Sequence, residues 1–311
     1  MLTLRRGRVT RIVEEADGLV RLEVDGAPCL AYPRLTGPVE VGDDVVVNVQ
    51  ARELGLGSGG FDILHVNLTR GLELPPEEGA HVMKLPFTSL QFARRHAEED
   101  DDPPERLDGM PVVACSLHSQ VTPVCAALRG LRVAYVQLEG GALAVELSDA
   151  VRELRREGLL EATIGAGACF GGDLDCVNVY SALAVARARG ADVVVCAIGP
   201  GIVGTGTRLG HGGMAAAAAI EAAWALGGRP VLALRVSDGD ARERHQGVSH
   251  HSDAVLAVTG DRARVGSPAA GDWRTACEGL TLHHMGRGPD EDPSFFAAAY
   301  AAGVHARSLV T

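Results

Sequence analysis

The stretch Ala197-Ile-Gly-Pro-Gly-Ile-Val-Gly-Thr-Gly-Thr-Arg-Leu-Gly-His-Gly-Gly213 constrains this chain more than any other. An apolar run, Val193 to Ile198, leads into it, and an Ala-rich segment, Met214 to Leu226, leads out. The plainest reading is a buried strand, a Gly-rich turn and a helix. Glycine lets backbone approach a ligand with no Cβ in the way. A helix N-terminus presents unpaired N–H groups and partial positive charge. Strand, glycine turn and helix start together are expected to form an anion site.

The same alternation runs through residues 111–311. Strands are expected at Pro111–Ser116, Arg132–Gln137, Ala162–Ala166, Asp192–Ile198 and Pro230–Arg235, with a last edge strand at Leu280–His284. Helices are expected at Val121–Leu128, Ser148–Glu157, Leu174–Arg189 with Asp173 as its cap, Gly213–Leu226, Asp253–Val258 and Asp292–Ala302. Apolar runs alternating with helix-length segments predict a doubly wound, mostly parallel Rossmann-like sheet. Such a sheet puts its ligand at the carboxyl ends of its strands.

Residues 1–72 read differently. Alternating runs at Gly7–Glu14, Leu19–Val24, Pro28–Tyr32, Val45–Val49 and Ile63–Leu68 are separated by signals such as Asp17-Gly18 and Asp25-Gly26. Five short strands at this spacing predict a small N-terminal antiparallel β-barrel. Barrels of this size bind ligands, and they also serve as docking or oligomer modules. The loop Leu54–Gly60 is Gly-rich but has no helix after it, so it reads as a turn. Residues 73–110, bracketed by Pro75-Pro76 and Pro103-Pro104, read as a linker and interface segment. Val82–Phe92 is expected to pack between the domains, and Ala97–Asp102 to be a solvated acidic loop, with a Mg²⁺ site there as the alternative.

Composition narrows the function. The net charge of −11 argues against a nucleic-acid partner, whose binding surfaces are usually basic. No uncharged run approaches the ~18 apolar residues of a membrane span. Arg5, Arg6 and Arg8 are not followed by an apolar h-region, so no signal peptide is expected. The seven cysteines show no C-x-x-C spacing, and no metal site is assigned to them. A reduced, cytoplasmic protein without a membrane partner is the expectation.

Candidate site residues follow from the segments after strands. In the organising loop, Gly199, Gly201, Gly204, Thr205, Gly206, Thr207, Arg208 and His211 offer N–H groups, hydroxyls and a guanidinium. These suit a phosphate or carboxylate. A tight structural turn is the plain alternative. The loop is neither G-x-x-x-x-G-K-[ST] nor a clean G-x-G-x-x-G, so neither ATP nor NAD is signalled and the cofactor stays unknown. After the next strand come Arg242, Arg244, His245, His250 and His251. Arg242, Arg244 and His251 are ligand contacts in this reading, and His245 and His250 are acid–base candidates. Adjacent histidines do not face one metal from a helix, though from a loop they can; a metal-dependent hydrolase is therefore one alternative. A helix start capped by Ser249 or Ser252 is another. His118, beside Ser119, is a third acid–base candidate, but the segment lacks the G-x-S-x-G elbow. His283 and His284 are expected on a solvated strand face. Asp173, Asp175 and Asn178 read as helix-start residues. A non-catalytic scaffold, with the Ala-rich helix 214–226 as a homo-oligomer interface, is the reading from another class.

Four motifs together resemble an uncharacterised actinobacterial and Gram-positive family of unknown function. They are Ala197–Thr207, Arg242-Glu-Arg-His-x-Gly-Val-Ser-His-His251, Gly171-Gly-Asp173 with Val177-Asn-Val-Tyr-Ser181, and Met285-Gly-Arg-Gly288. The resemblance spans nearly the whole chain and implies no catalytic residue. A local likeness also exists. Gly204-Thr-x-Thr-Arg-x-Gly210, with Met214 and Ile220-Glu221, is similar to the selenocysteine region of the substrate-specific subunit of glycine and betaine reductases. That region carries selenocysteine and cysteines, where this chain has Val203, Gly206 and Leu209. The likeness therefore implies a loop for a carboxylate-bearing small molecule, without the redox chemistry.

Overall fold

A computed structural model describes residues 2–56, 59–100, 102–267 and 271–310, so Gly57 and Ser58 of the first Gly-rich loop and Asp101 of the acidic run lie outside it. The chain forms two compact units, Met1–Arg95 and His96–Thr311.

In the first unit, β1 (Leu4–Ala16), β2 (Leu19–Val24), β3 (Ala27–Ala31), β4 (Asp44–Asn48) and β5 (Asp62–Asn67) close a barrel in the order β1-β2-β3-β5-β4. One-turn helices α1 (Pro33–Thr36) and α2 (Gln50–Glu53) fill the connections. Alternation drives closure: Val9, Leu22, Val24, Val45, Val47 and Leu64 point inward and are buried together. One pairing departs from the expected antiparallel barrel, because β3 runs parallel to β5. The chain that joins them carries β4 across the barrel first, so β5 arrives in the direction of β3. Beyond the barrel, β6 (Val82–Lys84) and β7 (Phe92–Arg94) pair as an antiparallel ribbon inside the segment read as linker.

The second unit is a three-layer sandwich. Its strands are β8 (Pro111–Cys115), β9 (Val133–Leu138), β10 (Ala162–Ala166), β11 (Leu174–Cys176), β12 (Val193–Ile198), β13 (Arg229–Ala233) and β16 (Arg264–Val265). They form one sheet in the order β11-β10-β9-β12-β8-β13-β16, and every pairing is parallel. A separate ribbon, β14 (Val236–Ser237) with β15 (Gly247–Val248), leaves the sheet after β13. The helices are α3 (Val121–Ala127), α4 (Asp149–Arg156), α5 (Val179–Ala188), α6 (Ala215–Ala225), α7 (His250–Thr259), α8 (Trp273–Ala276) and α9 (Pro293–Ser308).

Strand β12 shows how sequence builds the layers. Val194, Cys196 and Ile198 enter the core shared with Leu183, Ala219, Ile220 and Val255, on the side of α5, α6 and α7. Val193, Val195 and Ala197 enter the opposite core with Val124, Leu154, Ala299 and Ala302, on the side of α3, α4 and α9. A strand covered on both faces has no polar side, which is why it reads as a continuous apolar run. Each buried valine contributes about 1.5–3 kcal/mol. Helix α6 spends its small residues here too: Ala216, Ala219, Ala222 and Ala223 are fully buried. No helix of the described residues is long and apolar enough to cross a membrane. All seven cysteines are buried free thiols.

Five expectations are corrected. The segment Leu174–Arg189 is not one helix: Leu174–Cys176 pairs with β10 as β11, and α5 starts only after Asn178. Asn178, not Asp173, caps α5, accepting from Tyr180 and Ser181 N–H groups. Asp173 instead accepts from the Thr163 backbone and hydroxyl. Likewise Leu280–His284 is no edge strand; only an isolated bridge joins His284 to Arg287, and β16 forms the edge. His284 is 1% exposed and stacks on Phe295, against the solvated face expected of it. Phe295, eleven residues on in helix α9, covers the ring. Helix α7 also begins earlier than Asp253, with Ser249 as its cap and His250 and His251 in its first turn.

Candidate functional site

In chain order β9, β10 and β11 step toward one edge of the sheet, and β13 and β16 toward the other. The winding therefore reverses around β8 and β12, and the carboxyl ends there open a crevice position. Four segments meet this rim: Leu117–Gln120 after β8, the turn at Gly140 after β9, the organising loop after β12, and the excursion from Leu234 to Ser249 after β13.

The organising loop spends much of its backbone on itself. Gly204 and His211 form a bridge, and the Thr205 N–H donates to the Gly210 carbonyl at 2.8 Å. The Gly210 N–H donates to Thr207 Oγ1 at 3.1 Å, and Thr205 Oγ1 lies 3.0 Å from Thr207 Oγ1. Gly201 and Gly206 adopt φ of 75° and 81°, which glycine supplies without strain. Gly201, Thr205, Gly206, Thr207 and Arg208 are exposed. The base of the loop is locked: a Cβ on Gly212 would sit 1.9 Å from the Gly140 carbonyl oxygen, and one on Gly141 2.2 Å from that of Gly199. Val203 donates its N–H to Gly140, and Ala142 donates to Pro200. The loops after β9 and β12 thus touch backbone to backbone.

The excursion after β13 is different. The ribbon β14–β15 closes it, and Ser249 ends it as the cap of α7, accepting the His251 N–H at 3.2 Å. His245 stands in a one-turn 3-10 segment, and its Nδ1 lies 2.7 Å from Ser249 Oγ. His211 arrives from the other loop. The ring centroids are 3.7 Å apart for His211 and His251, 4.5 Å for His250 and His251, and 4.8 Å for His245 and His250. Four imidazoles therefore share one patch. Successive helical residues diverge by about 100°, which argued against adjacent histidines serving one ion from a helix. His245, His250 and His251 nevertheless have ligand nitrogens within 4.8 Å of one another, because the first turn of α7 folds back toward His245.

Below the imidazoles lies an ion network. Arg235, 2% exposed, donates Nη2 to Asp240 at 3.2 Å and Nη1 to His251 Nδ1 at 3.1 Å. Arginine has no acceptor atom, so His251 Nδ1 accepts and a neutral His251 carries its proton on Nε2. Asp240 also accepts two bonds from the Arg242 guanidinium, and Arg287 lies 3.4 Å from it. Arg287 reaches Asp292 at 3.0 Å, and Ser237 donates to Asp292 at 2.6 Å. Three guanidiniums face two carboxylates, so the network keeps a positive excess. The Arg242 hydrogen bond, outweighing burial, holds the Asp240 carboxyl well below the usual range. Burial, with the Arg235 and Arg242 charges behind it, pushes His245 down to about 3. Burial, with His211 and Arg235, pushes His251 to about 2, and burial lowers His211 and His250 as well. The imidazoles are neutral near pH 7.

Not every polar atom is used. His211 Nε2 lies 3.1 Å from the Arg208 carbonyl, which only accepts, so Nε2 donates and Nδ1 holds a lone pair. That Nδ1, His250 Nε2 and Arg235 Nε are buried with no hydrogen-bond partner among the described residues. Buried polar groups are rarely left so.

The structure gathers His211, His245, His250, His251 and Arg242, and leaves Arg244 exposed. His118 belongs to another group. Its Nδ1 donates to the Ile198 carbonyl at 3.0 Å, so Nε2 accepts from Ser148 Oγ at 2.6 Å. Both its nitrogens are occupied, and burial pushes it down to about 4. Ser119 Oγ lies 3.1 Å from His284 Nδ1. Arg235, Asp240, Arg287 and Asp292 escaped the sequence reading as site residues. An arginine closing the apolar run Pro230–Arg235 was the available signal for the first. Two clefts, of about 250 Å³ and about 330 Å³, lie at the amino ends of β9–β10 and of β13–β16 and contain none of the candidate residues.

Residues 28–276 match the family of proteins of unknown function designated DUF3866, and the chain belongs to that family. No curated protein matches the chain.

Proposed function

We propose that this protein binds an anionic small molecule, phosphate- or carboxylate-bearing, at the carboxyl rim of the sheet. The binding centre in this reading is the imidazole and arginine patch of His211, His245, His250, His251, Arg235 and Arg242. The Gly-rich loop is its flank. One observation carries the reading: buried nitrogens of Arg235 and His250 lack partners among the described residues, beside an ion network with excess positive charge. A chain of net charge −11 that concentrates positive charge here has a local reason to do so. Arg235 Nε–H is a donor without an acceptor among the described residues, and an oxyanion supplies acceptors. His250, with a nitrogen unspent, is the acid–base candidate should a reaction follow. Buried thiols without disulfides support a cytoplasmic setting.

Isothermal titration against inorganic phosphate and small carboxylates tests this, using wild type, His250→Gln with Arg242→Gln, and Thr205→Val with Arg208→Ala. The expected result is binding by wild type and by the loop variant, with at least a tenfold loss in the patch variant. Equal binding by wild type and the patch variant sinks the reading.

A further inference from the structure

We infer that His245, His250 and His251 hold one divalent transition-metal ion of the imidazole-preferring class, such as Zn²⁺ or Co²⁺. The inference shares His250 Nε2 with the anion reading, but it rests on the spacing of three ring nitrogens and not on guanidinium charge.

Three imidazoles offer nitrogens within 4.8 Å of one another. In a tetrahedral site with metal–nitrogen bonds of about 2.0–2.1 Å, ligand nitrogens stand roughly 3.3 Å apart. The observed bound exceeds that spacing by at most about 1.5 Å, which side-chain rotation has to close. His250 contributes Nε2, buried and unpartnered among the described residues. His245 has its Nδ1 fastened to Ser249 Oγ, which leaves Nε2 as the free nitrogen. Orientation of a ligating ring through its second nitrogen is how metal sites are commonly fixed. The same Ser249 hydroxyl caps α7, so one side chain sets both His245 and the helix turn that carries the other two rings.

His251 is the constrained member. With Arg235 donating to Nδ1, its proton sits on Nε2. An ion takes Nδ1 in place of the Arg235 N–H, or takes Nε2 once the ring proton has moved to Nδ1, which releases Arg235 as well. Arg235 keeps Asp240 as a partner in either case. Asp240 and Asp292 offset part of the positive charge behind the rings. Three protein ligands leave a fourth position open, as in catalytic zinc sites, and that position faces water or an anion oxygen. A structural packing role explains the cluster poorly, since apolar rings fill such space without leaving nitrogens bare.

The test uses full-length protein without a His tag, stripped with chelator and returned to chelator-free buffer. Co²⁺ is added and followed by visible absorption, and Zn²⁺ by titration calorimetry, with no phosphate or carboxylate present. Expected is about one ion per chain, a four-coordinate Co²⁺ spectrum, and at least tenfold weaker binding in His245→Gln and His250→Gln. His283→Gln, at an exposed ring outside the group, keeps wild-type binding. Wild type that takes up no Co²⁺ or Zn²⁺ overturns the inference, a result that needs no variant to fold. Binding unchanged in both His245→Gln and His250→Gln overturns it as well. Metal uptake without phosphate or carboxylate binding upholds this inference while removing the proposed function.

Discussion

The Gly-rich loop and the histidine excursion border the same rim and use their polar atoms in opposite ways. The loop is exposed and closes its hydrogen bonds internally, through Thr205, Thr207 and Gly210. The excursion buries Arg235, Ser237, Asp240, His245 and Ser249 and, with the first turn of α7, leaves nitrogens of His250 and Arg235 without partners among the described residues. The difference teaches that glycine content marks where backbone must bend, while unspent buried atoms mark where something must bind. A site is better sought in the second kind of region.

The comparison breaks most visibly at Asp240. Asp240→Asn removes one carboxylate from among Arg235, Arg242 and Arg287, and leaves buried positive charge unbalanced. The expected loss is about 3–5 kcal/mol of stability, read from urea unfolding. A loss below about 1 kcal/mol would show the network to be loosely held and solvent-screened. Next comes Gly212→Ala, whose Cβ would meet the Gly140 oxygen at 1.9 Å. It should cost about 3 kcal/mol, and a near-neutral midpoint shift would show the two loops are not locked.

Acid sharpens the contrast from the loop's side. His118 holds the Ile198 carbonyl where the loop begins, and its folded value of about 4 lies below the ordinary 6.5. Between these values the unfolded chain binds a proton that the folded chain refuses. His118's contribution is therefore complete above pH 6.5 and is lost as pH falls through about 4. The share of His118 is about 2 kcal/mol after discounting for its partial exposure. Unfolding midpoints that decline less from pH 6.5 to 4 in His118→Gln than in wild type would bear this out. An identical decline would acquit His118. The smallest effect is expected at Thr205→Val with Arg208→Ala. Its stability should stay within about 0.5 kcal/mol of wild type, as differential scanning would show.

Much of this architecture is legible in the residues. Apolar runs such as Pro111–Cys115 and Val193–Ile198 announce a sheet buried on both faces, and the Asp-Gly turns announce the barrel strands. Leu174–Cys176 was not legible as a strand, because three residues carry no periodicity and the neighbour β10 decides their pairing. His284 was not legible as buried, because Phe295 covers it from another element. The site divides likewise. His245, His250 and His251 are close in sequence and were singled out together. His211, Arg235, Arg287 and Asp292 join them only through chain crossings that no local pattern encodes.

The backbone contact between Gly140 and Gly212 has a mechanical consequence. Two loops that meet without side chains between them have no compressible padding, so neither can swing while the other stays put. Any opening of the rim would have to carry residues 140–142 and 199–212 together as one rigid flap. Entry to the imidazole patch, if it needs room, is then governed from the opposite bank, by the ribbon that carries His245.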